Sequence, residues 1–172
     1  VIASMTAQQR SDSSWGWPLT WNFVLNAPLV IPAYTCNVTN PDNRTITLPD
    51  ADATLLRGVG KGVFTNSKTR FVMNLGCDVL ATVDLSFNGT TMTGKDDVLA
   101  NQASGGSSNI GIQVFPADST TAIKFDNVEN RMIELADATE ILEYDAYYYV
   151  DGGRVVQPGQ VKSTMTYTFT YK

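Results

Sequence analysis

Hydrophobic and polar residues alternate along most of this chain with a period of two. Leu19-Thr-Trp-Asn-Phe-Val-Leu25 alternates, as does Thr45-Ile-Thr-Leu48. Arg70-Phe-Val-Met-Asn-Leu75, Ala81-Thr-Val-Asp-Leu-Ser-Phe87, Ile110-Gly-Ile-Gln-Val-Phe115, Thr121-Ala-Ile-Lys-Phe125 and Asp145-Ala-Tyr-Tyr-Tyr-Val150 continue the series. The cleanest run comes last, where Met165, Tyr167, Phe169 and Tyr171 alternate with Thr164, Thr166, Thr168 and Thr170. Successive side chains on a strand point to opposite faces, so this strand has one apolar face and one threonine face. Turn signals separate the runs: Pro41-Asp42-Asn43, Asn88-Gly89, Gly105-Gly106, Asp151-Gly152-Gly153 and Pro158-Gly159. Short strands at this spacing predict an all-β antiparallel sandwich or barrel. Helical periodicity is weak: Asp50 to Arg57 and Asp96 to Gln102 each suit a single turn.

The first 35 residues differ from the rest. Gln8 to Ser14 is polar, and then Trp15, Trp17, Leu19, Trp21, Phe23 and Leu25 alternate past Pro18. Ala27-Pro28 and Pro32 make a stiff passage into Cys36. A segment this aromatic reads either as a core strand or as a strand that belongs to, or docks in, a neighbouring module. The chain starts at Val1 without a signal peptide, which suits a mature or excised product.

Composition narrows the function. At 172 residues and 43% hydrophobic, the chain suits one domain with a short attachment. Lys and Arg number 12 against 17 Asp and Glu; a net charge of −5 is a poor footprint for nucleic acid. The absence of histidine removes the usual triad base, metal ligand and proton shuttle together. No apolar run approaches the ~20 residues of a membrane helix. Cys36 and Cys77 are too few for a structural zinc site. They form either one disulfide or two buried thiols, and the even count in a β-rich chain favours the disulfide.

Candidate chemistry is thin. Glu134, Glu140, Glu143 and Asp145 cluster in sequence and could in principle act as a glycosidase pair, but a solvated loop accounts for them. Asp96-Asp97 lacks the ligand periodicity of a calcium loop. Ser13-Ser14 and Ser107-Ser108 have no nearby base. Asn37-Val-Thr39, Asn43-Arg-Thr45 and Asn88-Gly-Thr90 fit a glycosylation pattern and are better explained as turns. Tyr147-Tyr148-Tyr149 could stack on a sugar, yet the two faces of one strand explain it. The residues nominate no catalytic group, no metal site and no cofactor.

Taken in order, the motifs resemble the pilin domains of bacterial chaperone–usher fimbriae. Cys36 precedes Thr45-Ile-Thr-Leu-Pro49, and Phe71-Val-Met-Asn-Leu-Gly-Cys77 closes the second strand. Val83-Asp-Leu-Ser-Phe-Asn-Gly89, Asn109-Ile-Gly-Ile-Gln-Val114, Tyr147 to Tyr149, Gly159 and the penultimate aromatic Tyr171 follow. The resemblance implies an incomplete immunoglobulin-like sandwich that lacks its last strand and is completed by a strand from a chaperone or another subunit. It further implies a groove lined by Met165, Tyr167, Phe169, Tyr171 and Gly159, with Lys172 anchored by basic chaperone residues. The implied partners are a periplasmic fimbrial chaperone, an outer-membrane usher and neighbouring pilin subunits. Localisation would be the periplasm in transit, then the extracellular fimbrium.

The opening segment is similar to the junction of a type 1 fimbrial tip adhesin, in which Trp21-Asn22, Val30-Ile-Pro32, Cys36 and Thr45-Ile-Thr-Leu-Pro-Asp50 occur in that order. On this reading residues 1–28 are an N-terminal extension or lectin-domain remnant and linker, residues 29–172 are the pilin domain, and any host glycan receptor is bound by a lectin domain that this chain lacks. The expectation is a non-catalytic, tip-type structural subunit serving adhesion. The alternatives are an internal or shaft pilin that donates residues 1–25, with Leu19, Trp21, Phe23 and Leu25 as the donor row, and a stand-alone secreted carbohydrate-binding sandwich.

Overall fold

Two antiparallel sheets face each other across a core of alternate residues. A computed structural model describes residues 36–39, 45–77, 82–134, 139–152 and 155–171, leaving aside the side chains of 128–134 and Tyr171. All lie in one compact unit, Tyr34–Lys172. The strands are β1 (Cys36–Val38), β2 (Gly62–Cys77), β3 (Thr82–Gly89), β4 (Val98–Ala100), β5 (Ile110–Pro116), β6 (Asp126–Glu134), β7 (Thr139–Val150) and β8 (Met165–Tyr171), with one helix, α1 (Ala53–Val59). One sheet runs β1-β2-β7-β5-β4 and the other β6-β3-β8.

Every second residue of the long strands faces inward. Phe71, Met73 and Leu75 of β2, Leu142, Tyr144 and Ala146 of β7, and Val83, Leu85 and Phe87 of β3 form the main core. Tyr144 links the two sheets: its ring stacks on Phe71 at 5.5 Å and meets Phe87 edge-on at 5.6 Å. Cys36 pairs directly with Cys77 in the β1–β2 register, and the two are joined by a disulfide, as the cysteine count favoured.

The β2–β7 ladder breaks between Phe64 and Thr69. Ser67, wholly buried, repairs the break: its hydroxyl donates to the Phe64 carbonyl (2.7 Å) and accepts from the Tyr148 N–H (2.9 Å). Helix α1 starts at the Asp52 cap, whose side chain accepts from the Thr54 N–H (2.6 Å), and ends at Gly60, at φ 72°.

Several expectations need correction. Thr45 to Leu48 and Thr121 to Phe125 alternate but are not strands; Ile46, Leu48, Ile123 and Phe125 still pack on the core from irregular backbone. Asp96 to Gln102 is no helical turn but contains β4. Asn88-Gly89 ends β3 rather than forming a hairpin turn. Glu140, Glu143 and Asp145 are not in a solvated loop: all three lie on β7, between β2 and β5, and Glu134 ends β6. The aromatic row of residues 15–25, with Leu19, Trp21, Phe23 and Leu25, lies outside the described residues, as do Pro41-Asp42-Asn43 and Lys172.

Candidate functional site, an open sheet edge

The β8 strand pairs with β3 through seven consecutive residue pairs without a shift, from Gly89↔Met165 to Val83↔Tyr171. Residues directly opposite each other in an antiparallel pair share a face. Val83, Leu85 and Phe87 are at most 1% exposed and face the core. The partners in register of Leu85 and Phe87, Phe169 and Tyr167, therefore belong to the core-facing row. Met165 and Phe169 pack against the core cluster, half-buried.

Tyr167 breaks the pattern of burial. Phe87, its partner across the ladder, is 1% exposed, whereas Tyr167 is 44% exposed. Its ring lies 5.4 Å from that of Phe169. An aromatic on the inner row of a sandwich is exposed when nothing covers it from the side. Among the described residues β8 has only β3 beside it, so it is an edge strand. Such an edge presents unpaired N–H and C=O groups to any extended chain. Thr166, Thr168 and Thr170, on the opposite row, are exposed, as alternation requires.

The approach to β8 is tied down residue by residue. Asn101 uses its whole amide: Nδ2 donates to the carbonyls of Gln160 (2.9 Å) and Ser107 (3.3 Å), and Oδ1 accepts from the N–H groups of Ala103 (2.9 Å) and Lys162 (3.0 Å). The Gln102 N–H donates to the Lys162 carbonyl (2.7 Å), and the Ser163 hydroxyl donates to the Ala100 carbonyl (2.7 Å). Gly159 sits where a Cβ would come within 3.0 Å of the Gly105 carbonyl. Gly106 is tighter still, since a Cβ there would run into the Asn101 amide nitrogen and the Gln160 carbonyl.

This stitched segment walls a cleft of about 310 Å³ at the start of β8. Ala51, Ala53, Leu56 and Ile110 form one side, and Val156, Pro158, Gly159 and Val161 the other. Arg57 fixes the far wall to the helix by donating twice to the Val156 carbonyl (2.9 and 3.3 Å).

The strongest electrostatic feature lies elsewhere, on the outer face of the five-stranded sheet. Asp145, 3% exposed, accepts two bonds from Arg70 (2.9 and 3.0 Å) and an ion pair from Lys68 (3.0 Å). Arg70 also reaches Glu143 (3.0 Å). The Arg70 hydrogen bond, seconded by Lys68, holds the Asp145 carboxyl below the usual carboxylate range despite its burial, and the same carboxylate raises Lys68 and Arg70. Asp96 pairs with Lys124 (2.8 Å) and Asp97 accepts from Gln113 (2.6 Å), so both are engaged within the protein.

The sequence placed Met165, Tyr167, Phe169 and Tyr171 on one row, and the structure brings them beside β3 in that register. Gly159 lies in the cleft wall rather than on the strand. The role of Asn101 and the pairing of Arg70 with Asp145 were not read from the sequence, because the partners of each are distant in the chain.

Comparison with known proteins agrees with this architecture. The profile of the fimbrial protein family matches residues 27–172. The F17 fimbrial protein of Escherichia coli is 35% identical over 153 residues, which cover 80% of this chain and 81% of that protein. The F17c-G fimbrial adhesin of Escherichia coli is 26% identical over 99% of this chain but only 52% of the adhesin. The crystal structure of the P pilus rod subunit PapA superposes with a TM-score of 0.64 at 22% identity, covering 81% of this chain and 99% of PapA, and establishes the shared pilin fold. Members of the family are structural subunits of cell-surface fibres, not enzymes. With its match across residues 27–172 and 35% identity to a fimbrial subunit, this chain belongs to the fimbrial protein family.

Proposed function

We propose that this chain builds a fimbrial fibre by accepting a strand along β8. The observation that carries the reading is the contrast between Phe87 and Tyr167, 1% against 44% exposed at the same register position. A donated strand beside β8 pairs with its free backbone groups while alternate apolar side chains cover Tyr167 and Phe169. Seven residues of edge correspond to about 23 Å of partner strand. The apolar cleft ahead of β8, which Val161 lines, suits a donor ending in one further apolar side chain. A periplasmic chaperone supplies that strand first, and after the usher step a neighbouring subunit replaces it.

In return, residues 1–28, with Leu19, Trp21, Phe23 and Leu25 as the alternating row, serve the next subunit, and residues 29–172 form the accepting domain. Between the two roles weighed, the internal subunit gains support from 35% identity across most of a fimbrial protein. The tip role, with a glycan-binding partner domain, rests on the alignment with half of an adhesin.

Phe169→Asp places a charge in the inner row, where its desolvation opposes strand addition. We expect this variant to lose co-purification with the fimbrial chaperone while Cys36–Cys77 still closes. Undiminished co-purification of a correctly oxidised Phe169→Asp chain contradicts the proposed orientation.

A further inference from the structure

Among the described residues the three-stranded sheet has two outer strands, β6 and β8, and they are built differently. Along β8 the register with β3 is unbroken over seven pairs, and Met165 to Tyr171 contain no charge. Along β6 the register with β3 shifts twice, between Leu85 and Ser86 and again between Ser86 and Asn88. Leu85 pairs with Arg131 but Ser86 with Glu129, which leaves Asn130 over. Ser86 pairs with Glu129 but Asn88 with Asp126, which again leaves one residue over. Asn127, at φ 62°, sits in that second irregularity. The strand also carries Asp126, Glu129, Arg131 and Glu134.

An extra residue bends and twists a strand locally, so its outer N–H and C=O groups no longer form a straight row. A second strand can follow such an edge only by breaking its own pairing. We infer that β6 is an edge built to refuse strands, which leaves β8 as the one edge of this sheet that accepts them. A three-stranded sheet with a single accepting edge takes a strand on one side only; with two, it would take strands on both. The refusal rests on β6 alone, and only the contrast rests on the proposed function of β8.

The test uses the full chain carrying a photo-reactive residue at Met132 on β6 or, separately, at Thr168 on β8. Cross-linked dimers are mapped by mass spectrometry. The inference expects no chain-to-chain adduct through position 132 in the parent protein. Deleting Asn127 and Asn130 restores one-to-one pairing, and adding Glu129→Thr and Arg131→Thr removes two charges; adducts through 132 should then rise several-fold. A second variant keeps both extra residues and changes only Glu129 and Arg131 to Thr, and it should show a smaller rise. Disulfide closure on a non-reducing gel identifies the folded variants, and if the deletion fails to fold, the charge variant decides. Adducts through 132 in the parent at the level seen through 168, or no rise in any variant that folds, overturn the inference. Absence of adducts through 168 counts against the proposed role of β8 and leaves the β6 comparison intact.

Discussion

Asp145 shows how a single side chain can be read in opposite ways. In sequence it belongs to an acidic run; in the fold its carboxylate lies nearly buried between Arg70 and Lys68. Its partners are far away in the chain, and only the pairing Arg70↔Asp145 brings them together, so no local signal could have revealed it. Removing one member of such a pair leaves the others partly desolvated, and Asp145→Asn should cost about 2–3 kcal/mol in a urea melt at pH 7. Because the native pKa of Asp145 is lowered, its contribution is present above the ordinary carboxylate pKa of about 4 and is lost as pH falls further through the native value. Stability of the parent should therefore drop more steeply below pH 4 than that of Asp145→Asn. Ser67 makes a second residue-scale case. Ser67→Ala leaves the buried Phe64 carbonyl and Tyr148 N–H without this partner and should cost about 1–3 kcal/mol by the same measurement.

At the scale of elements, five strands were legible from alternation alone: β2, β3, β5, β7 and β8 each fall on a run read from sequence, with β3 described from Thr82 rather than Ala81. The period-two signal works because alternate residues of these strands face the core. It misleads at residues 45–48 and 121–125, where irregular backbone also sends alternate side chains inward. Strands β1 and β4, three residues each, are too short to carry a period. The segment leading into β8 was legible only as a turn around Pro158-Gly159, because what holds it is a side chain from a distant loop. Asn101→Ala removes two hydrogen bonds to residues 160–162 and two more within its own loop, to Ala103 and Ser107. We expect a loss of about 1–2 kcal/mol and faster amide exchange at Lys162 and Gln102. Unchanged exchange at both amides would show that the backbone bonds alone hold the wall.

At the largest scale, the described residues form a sandwich with a disulfide joining β1 to β2 inside the five-stranded sheet and, at β8, an edge that no described strand covers. Cys36 and Cys77 are 41 residues apart, and closing a loop of that size restricts the unfolded chain by about 4 kcal/mol in the chain-entropy description. Replacing both cysteines by alanine should lower stability by an amount of that order, while the β3–β8 ladder keeps its register. The open edge is the central claim, because it turns a structural subunit into one that joins others. A peptide spanning residues 1–25 of the same chain, added to the isolated protein, tests it most directly by thermal melting with hydrogen exchange at β8. At a hundredfold excess over its dissociation constant a bound strand adds about 2.7 kcal/mol, or roughly 5–10 °C for a chain of this size. The account predicts that rise together with slowed exchange at the β8 amides from Thr166 to Thr170. A melting temperature and β8 exchange rates that ignore both this peptide and the strand of the fimbrial chaperone would contradict it.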